Sequence, residues 1–294
     1  MGKVKMFSVP VTYAFDFKRT NDTMRPYVMH EFAVNGVKHL VLNETLFQMI
    51  LENREMAGIL NREMAGEGLT FCDAHAVFGP YLDLCCPVPD ARPEMLLRLK
   101  LQLQIIAGMG VKTITIHIGN ETHYPGYTLQ SMIDSVKSSL NELLPLAESL
   151  GVIICIENIW FQMNTPERLL DFKAEFPTDA LGFCYDAGHA NLMDKGRNFP
   201  GSKPYTAWGS VPPHFDHQIL EKMLPHVVNC HLHDNDGIMD QHVNVGLGTM
   251  DWKHVVDLLR QAPRLQVIQS EVLPVKTNVS IPEICKKFHW LSEL

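Results

Sequence analysis

Short apolar runs alternate with longer stretches of helical periodicity from one end of the chain to the other. The apolar runs predict strands over Lys5–Val11, His39–Leu42, Thr70–Ala74, Thr113–Ile118, Val152–Glu157, Gly182–Asp186, Val227–Leu232 and Gln266–Val272. Between and after them, helices are predicted over Met24–Val34, Glu44–Glu67, Pro93–Met109, Leu129–Leu150, Pro166–Phe176, Phe215–Leu224, Trp252–Gln261 and Ile281–Leu291. Several boundaries carry their own signals. Thr165 precedes Pro166 as a capping hydroxyl before a proline at the first helical position, and Gly110 and Gly151 stand where a helix hands over to a strand. Strict alternation without a linker predicts an α/β chain folded as a (β/α)8 TIM barrel, with residues 1–294 as a single domain. An open doubly wound sheet is the alternative, but its glycine fingerprint is missing after the first strand.

Strand parity sharpens the picture, because side chains alternate faces with a period of two. Counting back from His117 gives Thr115 and Thr113; Glu157 gives Cys155, Asp186 gives Cys184, and Glu271 gives Gln269 and Val267. These point into the barrel. Ile114, Ile116, Ile154, Ile156, Phe183, Tyr185, Ile268 and Val272 take the other face, against the helices.

At or just past the C-terminal ends of six of these segments stand nine good metal ligands: His75, His117, Glu157, Asp186, His189, His231, Asp240, His242 and Glu271. A packed core needs no such row, whereas a metal site at the mouth of a barrel does. A single histidine here reads as well as a structural residue, and a carboxylate such as Glu157, closing an apolar strand, needs a partner because burying it alone is costly. Imidazoles and carboxylates without thiolates favour zinc, manganese or a similar divalent ion. His123, Asp73 and His233 are candidates for the groups that hold those ligands from behind. Trp160 and Phe161, just beyond Glu157, stand where an aromatic face could stack on a sugar or pack on a neighbouring loop. The stretch from Ala190 to Pro213, rich in Gly and Pro, reads as a lid or a plain surface loop.

Composition adds limits. The net charge of -8 weighs against a duplex nucleic-acid partner, which calls for a basic face. Lys18, Arg19 and Arg25 form the one concentrated positive group expected near the mouth. Seven cysteines without a CxxC predict reduced thiols and a cytoplasmic protein. No apolar run approaches the length of a membrane span, and MGKVKMFSVP has no signal core.

The ordered set FCDAHAVF, TITIHIG, IICIENIW, GFCYDAGHANL, NCHLHDNDGIMDQHVNVGLGTMDW and IQSEVL resembles the xylose isomerase-like TIM barrel superfamily over essentially the whole chain. That group includes sugar epimerases and isomerases, dehydratases of cyclic polyols and abasic-site nucleases of the endonuclease IV type (AP endonuclease family 2). The resemblance to its isomerases implies one divalent ion on Glu157, Asp186, His231 and Glu271. Glu157 and Glu271 would then pass a proton, and His189 would bind a substrate hydroxyl. The resemblance to its nucleases implies three ions: one on His75, His117 and Glu157, a second on Glu157, Asp186, His231 and Glu271, and a third on His189, Asp240 and His242. Gly237 departs from the epimerases, which carry an arginine there. The loop AVFGPYLDL, with no basic residue before Arg92, departs from a DNA clamp.

The expectation is therefore a metal-dependent isomerase or epimerase of a sugar, sugar phosphate or polyol, holding one to three ions of zinc or manganese. Glu157, Glu271 and His189 are its catalytic groups; Trp160, His233 and His123 contact the carbohydrate. A metal-dependent phosphoester hydrolase is the alternative, and a non-catalytic sugar-binding barrel the third reading. A nucleic-acid partner is disfavoured, no membrane is expected, and a homo-oligomer stays open.

Overall fold

In the computed structural model, which describes residues 7–194 and 200–294, the strands form one closed parallel barrel in sequence order. They are β1 (Val11–Tyr13), β2 (His39–Leu42), β3 (Thr70–His75), β4 (Thr113–Ile116), β5 (Ile153–Glu157), β6 (Leu181–Asp186), β7 (Val227–Leu232) and β8 (Val267–Ser270). Closure comes from β8 pairing with β1, in the register Thr12 to Gln269. The doubly wound alternative is thereby excluded, because an open sheet leaves two unpaired edges.

The helices are α1 (Met24–Val34), α2 (Glu44–Glu52), α3 (Met56–Gly66), α4 (Arg92–Gly108), α5 (Leu129–Leu150), α6 (Pro166–Glu175), α7 (Ala187–Leu192), α8 (Lys203–Trp208), α9 (Ile219–Met223), α10 (Trp252–Leu259), α11 (Pro274–Thr277) and α12 (Ile281–Glu293). Thr165 caps α6, accepting from the Arg168 N–H, and Gly151 ends α5 at φ +63°. No helix among the described residues is long and apolar enough to cross a membrane.

Three expectations change. The first strand begins at Val11, not Lys5: Pro10 accepts from the Ile268 N–H but has no N–H of its own to return. Lys5 and Met6 of that expected strand lie outside the described residues. The helix expected over Glu44–Glu67 is two helices, because the Asn53 side chain accepts from the Glu55 N–H and turns the chain between them. The helix expected from Phe215 starts only at Ile219. Its would-be first turn is diverted, with the Asp216 N–H donating to the Met193 carbonyl. The stretch from Ala190 to Pro213 is partly helical, in α7 and α8, and residues 195–199 within it lie outside the described set.

The parity argument holds. Ile114, Ile116, Ile154, Ile156, Phe183, Tyr185, Ile268 and Val272 join the main core between sheet and helices. Cys155 and Cys184 pack with Val228 in a separate small cluster inside the barrel. Each fully buried Leu, Ile or Phe of the main core contributes about 1.5–3 kcal/mol, so the helix layer holds the strand ends rigidly in place.

Candidate metal centre

The nine ligand candidates meet at the C-terminal mouth. His75, Glu157 and Asp186 are the last residues of β3, β5 and β6; His231 lies opposite Asp186 on β7. His117 and Glu271 each follow the end of a strand. Asp186 also caps α7, where one oxygen accepts from the His189 N–H at 2.6 Å and so sets His189 one turn along. Asp240 and His242 come from the loop after β7, and His242 sits in the left-handed backbone region at φ +54°. A non-glycine residue there is uncommon and costs about 1–3 kcal/mol.

Glu157 stands at the centre. One oxygen is 3.1 Å from His117 Nε2; the other is 3.3 Å from both His231 Nδ1 and His189 Nδ1. His231 Nδ1 is also 3.4 Å from Glu271 and 3.8 Å from Asp186. His189 Nε2 lies 4.0 Å from Asp240, whose other oxygen is 3.0 Å from His242 Nε2. The His75 and His117 rings are 4.9 Å apart.

Backbone carbonyls choose the ligand nitrogens. His75 Nδ1 donates to Ala76 O at 2.9 Å, His189 Nδ1 to Asn158 O at 3.0 Å, and His242 Nδ1 to Glu271 O at 3.0 Å. In each ring this leaves the Nε2 lone pair for an ion. His231 is reversed, with Nδ1 toward the carboxylates and Nε2 against Thr115 Oγ1.

Electrostatics follow from burial and crowding. Burial, with the neighbouring His117 and His231, pushes His75 down to about 3, so it is a neutral ring. Burial would lower His231, but the Glu271, Glu157 and Asp186 carboxylates outweigh it and raise the ring to about 10. Burial would likewise raise Glu157; the imidazoles of His231, His117 and His189 instead hold it well below the usual carboxylate range.

The donor set fits a divalent cation. Glu157 Oε2, His231 Nδ1 and Asp240 Oδ1 are buried without a hydrogen-bond partner, which native interiors rarely tolerate. Each of four sets offers ligand atoms within 4.8 Å of one another: His75, Glu157 and His231; Glu157, Asp186 and His189; His189, His233, Asp240 and His242; and Asp186, His233 and Glu271.

The expected substrate contacts divide. The Trp160 ring stands edge-on to His189 with centroids 4.8 Å apart, and its carbonyl accepts from Trp208 Nε1 of α8. His233 is wholly buried, so its reach is to the ligands: Nε2 is 3.2 Å from Asp186, and a Cβ at Gly188 would come within 2.0 Å of its Cε1. His123 pairs with Asp83 at 3.4 Å and with Asn120, not with the ligand set. Arg25 also departs from expectation. It is buried, with Nε and Nη2 on the two oxygens of Glu63 and Nη1 on Asp22. The expected positive group thus loses Arg25 and keeps Lys18 and Arg19, while Lys276 Nζ lies 3.2 Å from the Asp240 carbonyl and Lys203 Nζ 5.6 Å from the Trp160 ring centre.

Two residues stand out only in three dimensions. Asn158 accepts the Asp186 N–H, donates to its carbonyl and receives His189 Nδ1, locking two ligands at once. Its place directly after Glu157 was the available signal. Phe78, 46 % exposed, lies 4.4 Å from the His117 ring and roofs that side of the mouth.

Comparison with known proteins places the barrel. A family model described as a xylose isomerase-like TIM barrel matches residues 48–268. An uncharacterized protein of Methanocaldococcus jannaschii is 26 % identical over 176 residues, 56 % of this chain and 54 % of its own. A probable endonuclease 4 of Thermotoga sp. (strain RQ2) is 29 % identical over 146 residues, 47 % and 48 % of the two chains. The match thus spans about half the length of each of these two curated relatives. Among solved structures, a D-tagatose 3-epimerase-like protein superposes with a TM-score of 0.72 at 17 % identity, covering 96 % of this chain and 98 % of the other, a likeness of fold.

Proposed function

The chain belongs to the xylose isomerase-like TIM barrel family, and from that premise we propose that it is a divalent-metal-dependent isomerase or epimerase of a sugar, sugar phosphate or polyol. One observation carries the reading. Glu157 and Glu271, from strands on opposite sides of β7, both bring a carboxylate oxygen to His231 Nδ1, at 3.3 and 3.4 Å. A divalent ion held by Glu157, Asp186, His231 and Glu271 would polarise a substrate carbonyl and acidify the adjacent carbon.

The residues then divide the work. Glu271 has the more open side chain, 16 % exposed against 1 % for Glu157, so it meets the incoming carbon and takes its proton. Glu271 keeps that proton. Glu157, which the three imidazoles hold as the carboxylate, would relay to the opposite face a different proton, drawn from those imidazoles, and would be the base in the reverse direction. His189, with Nδ1 fixed on Asn158, offers Nε2 to a substrate hydroxyl. Trp160 screens that side from water. Locking Arg25 to Glu63 withdraws one cation, but Lys276 on the Asp240 carbonyl and Lys203 over the Trp160 ring leave positive charge at the mouth, so a sugar and a sugar phosphate both fit.

A specific observation supports a second reading, a phosphoester hydrolase. Glu157 spans two groups, His117 on one oxygen and His231 on the other, and His189, Asp240 and His242 make a third. Such a set could hold several ions across an in-line displacement. A probable endonuclease 4 among the relatives is consistent with it.

Metal content per chain tests both, measured by elemental mass spectrometry on untagged protein purified without chelator. About one ion supports the isomerase; two or three support the hydrolase. None after reconstitution removes both.

A further inference from the structure

Beneath the ligands, inside the barrel, runs a buried chain of polar groups that touches no solvent. Thr113 Oγ1 donates to Asp73 Oδ1 at 2.6 Å. Asn229 Nδ2 donates to Asp73 Oδ2 at 3.1 Å and to Thr115 Oγ1 at 2.9 Å. Thr115 Oγ1 in turn lies 3.3 Å from His231 Nε2. Asp73, Thr113, Thr115, Asn229 and His231 are each at most 1 % exposed. Among the described residues no lysine or arginine pairs with Asp73, and the donors that hold its carboxylate are the neutral Thr113 and Asn229.

We infer that Thr115, backed by Asn229 and Asp73, is a positioning residue that fixes the tautomer and rotation of His231 so that Nδ1 faces the metal position. The inference rests on the ligand role proposed for His231. The argument is one of hydrogen-bond supply. For Nδ1 to ligate, the ring hydrogen must sit on Nε2, and that hydrogen needs an acceptor where the ring is fully shielded from solvent. Thr115 Oγ1 is the acceptor in reach. Asn229 spends one amide hydrogen on that same oxygen and the other on Asp73, so Thr115 cannot swing away without breaking the chain behind it. The other ligand imidazoles that rest on an acceptor use a backbone carbonyl, which no substitution removes. His231 alone among them depends on a side chain, and that makes it testable.

The experiment compares the parent chain with Thr115→Val, which removes the oxygen while nearly keeping the shape, and Thr115→Ser, which keeps the oxygen. The readouts are zinc affinity by chelator competition and the visible spectrum of the cobalt-substituted protein. Thr115→Val should weaken the tightest-bound ion by about 10- to 100-fold and shift the cobalt spectrum, while Thr115→Ser stays within about threefold of the parent. Asp73→Asn should weaken binding in the same direction, and decides the matter if Thr115→Val does not fold. Parent-like affinity and spectrum in Thr115→Val, or equal weakening by Val and Ser, would overturn this inference and leave the ligand reading standing. A parent chain that binds no divalent ion would overturn both.

Discussion

The imidazoles of His233 and His242 lie face to face, with centroids 3.9 Å apart and planes 12° from parallel. Two rings so stacked carry their in-plane lone pairs in parallel planes and cannot aim both at one ion at about 2.0–2.1 Å. His233 therefore falls out as a ligand of the group with His242, although its nitrogens are near enough to count. Its Nε2 instead meets Asp186 Oδ2 at 3.2 Å. His233→Ala should leave the number of ions per chain unchanged but weaken binding by about 10- to 100-fold, whereas His242→Ala should lose one ion. Stoichiometry by elemental analysis beside a zinc titration separates the two.

Removing Asp240 and His242 together tests the choice of reaction. Asp240→Ala with His242→Ala should abolish hydrolysis of abasic DNA and small phosphoesters, if the parent has it, and leave isomerisation partly intact. Undiminished hydrolysis in the double variant would take the third group out of the chemistry.

Glu271→Gln keeps the size of the side chain and removes its basicity. With a ketose or polyol that the parent turns over in D₂O, exchange of the carbon-bound proton, followed by proton NMR, should fall by about 10²-fold or more. Exchange at the parent rate would exclude Glu271 as the base.

Metal uptake should depend on pH in a direction set by His231. In the metal-free protein burial acts to lower this ring, but Glu271, Glu157 and Asp186 raise it from 6.5 to about 10. A raised folded value means that its contribution to stability is complete below about 6.5 and is lost as pH climbs through about 10. An ion must displace that proton, so binding near neutral pH should release it, and affinity should rise about tenfold per pH unit in that window. Calorimetry in two buffers of different ionisation heat reads the release directly, and His231→Ala should reduce it by one proton.

The barrel was legible because its signals are local. Parity along β4, β5, β6 and β8 separates Thr115, Cys155 and Cys184 inside from Ile114, Ile154 and Phe183 outside, and strand geometry enforces that separation whatever the surroundings. The same rule put His117, Glu157, Asp186 and Glu271 on the inward face, and position at or just past a strand's C-terminal end put the other five candidates at the same mouth, where the structure gathers them. What the sequence left hidden depends on partners distant along the chain. Arg25 reads as a free cation until Glu63, 38 residues on, is seen to take both ends of its guanidinium. Asn53 breaks the helix after α2 by a side-chain bond that helical periodicity does not register. His233 shares the inward parity of His231, and only its full burial tells it apart from a group that meets substrate.

Gly188 and His233 make up a single choice. The imidazole fills the space that any side chain at 188 would need, a clash at 2.0 Å that a small backbone shift does not relieve. In chains built on this barrel the two positions are expected to vary together: glycine opposite the ring, or a larger residue opposite a smaller one. A library randomised at 188 and 233 at once should therefore return folded protein in coupled pairs, so that the identity of residue 188 in a distant sequence reports whether Asp186 has an imidazole behind it.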